Sequence, residues 1–144
     1  MPSRRDRYLQ AALSLFDEHG FAGTTTDMLV AAVGGSKATL YKVFPSKEAL
    51  AVGLIEQVID STTRDMLDPA ASQATLREEL TVIGRSACEG VWSDEARAVL
   101  RLVLGEYHRM PQLAQLVWER GPAVTYARFK AVLAERERRG EIRV

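Results

Sequence analysis

Three observations predict an all-α fold for this 144-residue chain. Apolar residues recur at i, i+3, i+4 and i+7 along most of its length, the period of a helix with one buried face. No segment sustains the period-2 alternation of a strand, and no repeat or low-complexity tract interrupts the pattern. Cap and stop residues fall between the periodic runs, where helices have to begin and end.

In the first helix Tyr8, Ala11, Ala12, Leu15 and Phe16 form the apolar stripe, and Gly20 is expected to stop it. Thr24-x-x-Asp27 has the form of a capping box, so a short second helix should follow with Met28, Leu29, Ala32 and Val33. Gly34-Gly35 supplies a turn into a third helix from about Ser36 to Phe44, closed by Pro45-Ser46. Gly35 has two readings. Either an aliphatic plug is missing beneath the turn, and a valine would stabilise it, or the backbone there needs glycine.

Ser46 caps a fourth helix, with Leu50, Leu54 and Val58 in one row beside Ile55, Ile59 and Met66, expected to end near Asp68-Pro69. Leu76, Leu80, Ile83 and Ala87 mark a fifth. Ser93-Asp94-Glu95 opens a sixth with a cap and two acids at the positive end of the helix dipole, carrying Val99, Leu100, Val103, Leu104 and Tyr107. Pro111 suits the first position of a seventh, expected to run past Gly121-Pro122 with a kink as far as Arg139-Gly140. The first three helices are too small to stand alone, so they should pack on the fourth. A boundary near Pro45–Lys47 then separates a head, residues 1–46, from a body, residues 47–144.

Composition narrows the function by exclusion. The chain is 47% hydrophobic, enough for one good core or two small ones. Nineteen basic residues balance nineteen acidic ones, so no global positive field draws nucleic acid. Placement says more than the total. Lys37, Lys42 and Lys47 fall within eleven residues, and Arg4, Arg5 and Arg7 crowd the N-terminus, as local phosphate contacts require. A single cysteine, Cys88, leaves no internal disulfide and fits a reducing cytoplasm. No apolar run approaches the ~20 residues of a membrane span, and Met1-Pro2-Ser3-Arg4-Arg5 lacks the apolar stretch of a signal peptide. The expectation is a cytoplasmic protein with no membrane contact. There is no glycine-rich phosphate loop, no G-x-S-x-G and no pair of Cys or His at metal spacing. Neither catalysis nor a metal or cofactor is expected.

The most specific stretch is Ser36-Lys37-Ala38-Thr39-Leu40-Tyr41-Lys42-Val43-Phe44-Pro45-Ser46-Lys47-Glu48-Ala49-Leu50, which follows Gly23-Thr24-Thr25-Thr26 at short range. Read as a helix, Leu40 and Phe44 point inward, Ala38 and Lys42 outward, with Thr39 and Tyr41 on the flanks. Small, hydroxyl and cationic side chains on a short helix suit the DNA major groove. The passage resembles the helix-turn-helix of the tetracycline-repressor (TetR) family of bacterial regulators. It shares the Thr-Thr start, the Ser-Lys-x-Thr-Leu-Tyr core and the Phe-x-Ser-Lys-Glu-x-Leu exit at that family's spacing.

The resemblance implies a transcriptional regulator, most often a repressor, reading a pseudo-palindromic double-stranded DNA operator as a homodimer and released by a small-molecule inducer. On it, Thr25, Thr26, Tyr41 and Lys47 match positions that hold the DNA backbone, while Lys37, Ala38, Thr39 and Lys42 match positions that face bases. Ser36 opens the reading helix. The body would hold the inducer, an apolar or aromatic molecule, with Met66, Cys88, Trp92, Tyr107, His108, Trp118, Tyr126 and Phe129 as candidate lining residues. For each of these, ordinary core or surface is the competing reading. Members of the family usually continue with two more helices that form most of the dimer interface, so the resemblance implies that the C-terminal dimer helices are missing from this chain. The alternative is a helical protein-interaction module whose head does not bind DNA.

Overall fold

A computed structural model describes residues 1–68 and 75–143. Its helices are α1 (Arg4–Gly23), α2 (Thr26–Val33), α3 (Lys37–Val43), α4 (Lys47–Thr63), α5 (Leu76–Trp92), α6 (Asp94–Gly105), α7 (Pro111–Arg120) and α8 (Pro122–Arg138), with a 3-10 turn at Asp65–Leu67. Among the described residues there is no strand, and the chain is all-α. No helix there is long and apolar enough to cross a membrane.

The helix starts follow the local chemistry of the sequence. Ser36, Ser46 and Ser93 each accept an N–H from the third residue of the helix they open. Ser3 and Thr75 do the same and complete reciprocal boxes with Asp6 and Glu78. Hydrogen bonds from the hydroxyl and backbone of Ser3 hold the Asp6 carboxyl below the ordinary carboxylate range, and Thr75 does so for Glu78.

Four expectations need correction. Gly20 does break α1, at φ 72°, but the chain makes one more turn to Gly23, because Phe21 folds back into the core. The cap of α2 is Thr25, one residue later than expected; Thr24 is fully buried, its Oγ1 3.0 Å from the Leu15 carbonyl and 2.8 Å from that of Gly20. The reciprocal partner of Thr25 is the Met28 thioether, which receives the Thr25 N–H at 3.5 Å. Third, α4 ends at Thr63 and tightens into the 3-10 turn, with Pro69 outside the described residues. Fourth, the expected kinked helix is two helices. Gly121 adopts φ −101°, ψ −92°, and Pro122 begins α8 afresh.

Gly34 and Gly35 both have positive φ, 83° and 104°. Gly35 is exposed, a side chain there would meet only Thr39 at 3.8 Å and Arg4 at 3.9 Å, and its positive φ calls for glycine's backbone.

One buried cluster runs without a break from Tyr8, Leu9 and Leu29 through Leu40, Phe44, Leu50 and Ile55 to Val99, Leu102 and Leu113. In packing terms α1 lies against α2, α4 and α6, while α4 is central and also touches α5, α6 and α7. A smaller cluster of Ile83 and Val132, with Leu76, Leu80 and Val124 around them, joins α5 to α8. The same two helices share a buried ionic group. Arg136 donates to the Glu79 carboxylate at 2.7 Å and to Glu141 at 2.9 Å, and Arg128 reaches Glu79 at 3.3 Å. Those two carboxylates, Glu79 first, push the Arg136 pKa up.

Candidate nucleic-acid interface and ligand cavity

The reading surface is built from the bottom of α3 upward. Leu40 and Phe44 are buried and fix the helix to the core, while the Arg5 guanidinium stacks 5.4 Å from the Phe44 ring centroid. With that face committed, Lys37, Ala38, Tyr41 and Lys42 are exposed, and Thr39 is half-buried at the edge. The Ser36 hydroxyl lies 3.1 Å from that of Thr39 and accepts the Thr39 N–H at 3.2 Å, so the two set each other's rotamer.

The cations of the head differ in how free they are. Lys37 pairs with Asp27 of α2 at 2.9 Å, across the turn. Lys42 makes no ion pair among the described residues. Lys47 is engaged: its Nζ donates to the carbonyls of Phe21 at 2.7 Å and Thr24 at 2.9 Å and lies 4.4 Å from the Phe21 ring centroid. Two of its three N–H groups close the open carbonyl end of α1, and one is left for a phosphate. Thr25 and Thr26 sit at the start of α2, where the first helical N–H groups are unpaired within the helix. Sequence reading missed the grip of Lys47 on α1; a lysine at the first position of a helix, beyond the Gly20-x-x-Gly23 end of another, was its one signal.

A partly open cavity of about 650 Å³ lies between α4, α5, α6, α7 and α8, with Gly84, Ala87, Gly90, Tyr126 and Phe129 exposed along it. Val58, Ile59, Thr62 and Thr63 come from α4, Ile83, Ser86 and the small face Gly84, Ala87 and Gly90 from α5, and Val99 and Val117 from α6 and α7. Thr125, Tyr126 and Phe129 of α8 complete it. Of the eight side chains expected to line a ligand site, Tyr126 and Phe129 border this cavity. Cys88, Trp92, Tyr107, His108 and Trp118 are exposed and stand away from this cavity. The side chain of Met66 lies outside the described residues. The small residues of one wall fall at the Gly84-x-x-Ala87-x-x-Gly90 spacing, which puts them on one face of α5.

Residues 9–54 match the profile described as "Bacterial regulatory proteins, tetR family", and residues 78–144 match "AefR-like transcriptional repressor, C-terminal domain". The uncharacterized HTH-type transcriptional regulator Rv1556 of Mycobacterium tuberculosis is 30% identical over 139 residues, covering 96% of this chain and 65% of its own. The chain thus spans just under two thirds of the length of that relative. Among solved structures, the flavonoid-responsive regulator FrrA is similar at 38% identity and a TM-score of 0.76, over 93% of this chain and 68% of that one. GusR of Salmonella enterica is 26% identical with a TM-score of 0.71, over 98% and 71%. Profile matches over residues 9–54 and 78–144, together with a relative 38% identical of which the chain covers 68%, place the chain in the tetR family of bacterial transcriptional regulators.

Proposed function

We propose that this chain carries the reading head and part of the regulatory body of a ligand-responsive DNA-binding repressor, acting in the cytoplasm as a homodimer on a pseudo-palindromic operator. The observation that carries the reading is α3 itself. It is held from below by Leu40 and Phe44 and presents Ala38, Tyr41 and an unpaired Lys42 outward.

Lysine can donate to guanine O6 and N7, and the Ala38 or Thr39 methyl can touch a thymine methyl. Tyr41, Thr25, Thr26 and the remaining N–H of Lys47 then hold phosphates, with Lys37 released from Asp27 or shared between the two. Two such heads about 34–36 Å apart would meet successive major-groove faces. A small apolar or aromatic inducer in the cavity would disfavour that spacing. The flavonoid response named for FrrA supports an aromatic ligand, and a coupling of ~1–3 kcal/mol would alter operator affinity roughly five- to 150-fold. Membership of a regulator family supports a non-catalytic role.

Selection of bound sequences from a random duplex pool tests the reading and supplies the operator. Lys42→Ala or Thr39→Ala should then relax preference at one position per half-site, by about 1–3 kcal/mol. An equal loss on every sequence would assign these side chains to the backbone. No duplex binding even at low salt would favour the interaction-module reading instead.

A further inference from the structure

The walls of the cavity carry two kinds of information about what enters it. The first is charge. None of its lining residues is Asp, Glu, Lys, Arg or His. The cations adjacent in sequence to its walls, with Arg64, Arg85, Arg97, Arg101, Arg120 and Lys130 exposed and Arg128 half-buried, are not among its lining residues. Arg120 lies 3.5 Å from Glu56 and 3.8 Å from Asp60, Arg128 binds Glu79, and exposed Lys130 sits 5.6 Å from the Tyr126 ring centroid. A carboxylate drawn inside would lose water and gain no opposite charge, which is strongly unfavourable.

The second is hydrogen-bond polarity. Thr62 and Thr63 both place their hydroxyls 2.9 Å from the Ile59 carbonyl, and Thr125 places its hydroxyl 3.1 Å from that of Gly121. A carbonyl can only accept, so each hydroxyl has committed its single proton to the helix backbone. What these three side chains can offer a ligand is lone pairs. Ser86, on α5, remains able to donate or accept, as does Tyr126 on α8. The threonine positions of α4 and α8 are therefore acceptors facing an otherwise apolar space. A ligand bearing only acceptors would bury lone pair against lone pair at these three threonines and could be met only by Ser86 or Tyr126, whereas a donor would be satisfied at any of the five. Shape adds to this. The flat face of Gly84, Ala87 and Gly90 on one wall, with Tyr126 and Phe129 on another, suits a planar ring.

We propose that the inducer is an uncharged aromatic molecule carrying hydroxyl or N–H donors, a phenol in preference to its ether or to a carboxylate. This rests on the reading of the cavity as the inducer site, and the experiment separates the two. Bisphenol A, its dimethyl ether and its carboxylate analogue diphenolic acid share one apolar frame. At pH 7 the phenols are neutral and the acid is ionised. Calorimetric titration of the 144-residue chain with each should give bisphenol A at least about tenfold tighter than the ether, although the ether is the more apolar. The acid should bind at least about tenfold more weakly than bisphenol A.

Thr63→Val with Thr125→Val should bring bisphenol A and the ether to within about twofold of each other, with ether binding retained. Thr125→Val alone, at the less buried site, should do part of the same if the double variant fails to fold. An ether that binds as tightly as the phenol overturns the donor inference while leaving the cavity as a ligand site. Tightest binding by the acid overturns the exclusion of charge. Failure of all three to bind overturns the proposal together with the reading of the cavity.

Discussion

The head, α1–α3, and the body, α4–α8, bury their helices by opposite means. The head contains helices of eight and seven residues, too short to persist alone in water. It depends on individual backbone demands being met: a buried Thr24 tying down two carbonyls, a lysine from α4 closing α1, and three glycines at positive φ. The body has longer helices that pack around an empty space, with one buried ionic group fastening α5 to α8. If α3 meets DNA, a rigid partner surface, its placement tolerates little error, and the residue-by-residue specification of the head would serve that. A cavity only needs apolar helices and a hole of the right lining, which many sequences supply.

The widest test of that contrast is Glu79→Ala. It takes a buried carboxylate from two arginines between the cavity walls and should cost about 3–5 kcal/mol in denaturant unfolding. Replacing the pair together, Glu79→Leu with Arg136→Met, should cost less than the single change. If Glu79→Ala were silent, the body would be held by apolar packing alone.

Next in size is Lys47→Met, which keeps the aliphatic stem and removes the charged donor from the Phe21 and Thr24 carbonyls. A loss of about 2–3 kcal/mol is expected in thermal unfolding. Because its third N–H can still reach DNA, the salt slope of duplex binding should fall by about one unit as well. A fall in stability with an unchanged slope would confine Lys47 to the α1–α4 corner.

Gly35→Val comes third. A β-branched residue at φ 104° is strained, and the exposed site returns no burial, so the variant should be less stable by about 1–2 kcal/mol. A raised melting temperature would show that the turn can be rebuilt and that the head is less exacting than described.

The smallest effect concerns two matching caps, Ser3–Asp6 in the head and Thr75–Glu78 in the body. Both carboxyls are held below their ordinary pKa by the hydroxyl and backbone that cap them. Their contribution is present above the unfolded-chain pKa and is lost as pH falls through the lower folded value. Melting temperatures followed from pH 7 to pH 3 should therefore drop slightly less in Ser3→Ala and in Thr75→Ala than in the parent, and by similar amounts. A difference between the two would show that head and body unfold separately in acid.

Much of the head could be read from its residues because its local chemistry is spelled out in order: cap, apolar pair, glycine turn, cap. The order of helices and the buried roles of Leu40 and Phe44 followed directly. What was misread there depends on contacts distant in sequence. Nothing local distinguishes Thr24 from Thr25 as the cap until Leu15 and Gly20 claim the first hydroxyl. Lys47 looked free until Phe21 was seen beneath it. In the body the helix periodicity was legible, but the cavity was not, since a void is defined by side chains that are missing. Aromatic rings invite assignment to a ligand site, yet Trp92 and Trp118 are 71% and 61% exposed.

The two ends of α4 have different attachments, and that makes the helix a lever. One end is gripped at Lys47 by the α1–α2 corner, and the other, at Thr62 and Thr63, forms part of the cavity wall. Seventeen residues at ~1.5 Å each give a rod of about 25 Å. A push at the cavity that tilts it by about 5° would swing the gripped corner through about 2 Å, on the order of the rise of a single residue along the rod. Lys47 ties that corner to the rod, so a tilt of this size would be felt where α1 meets α2.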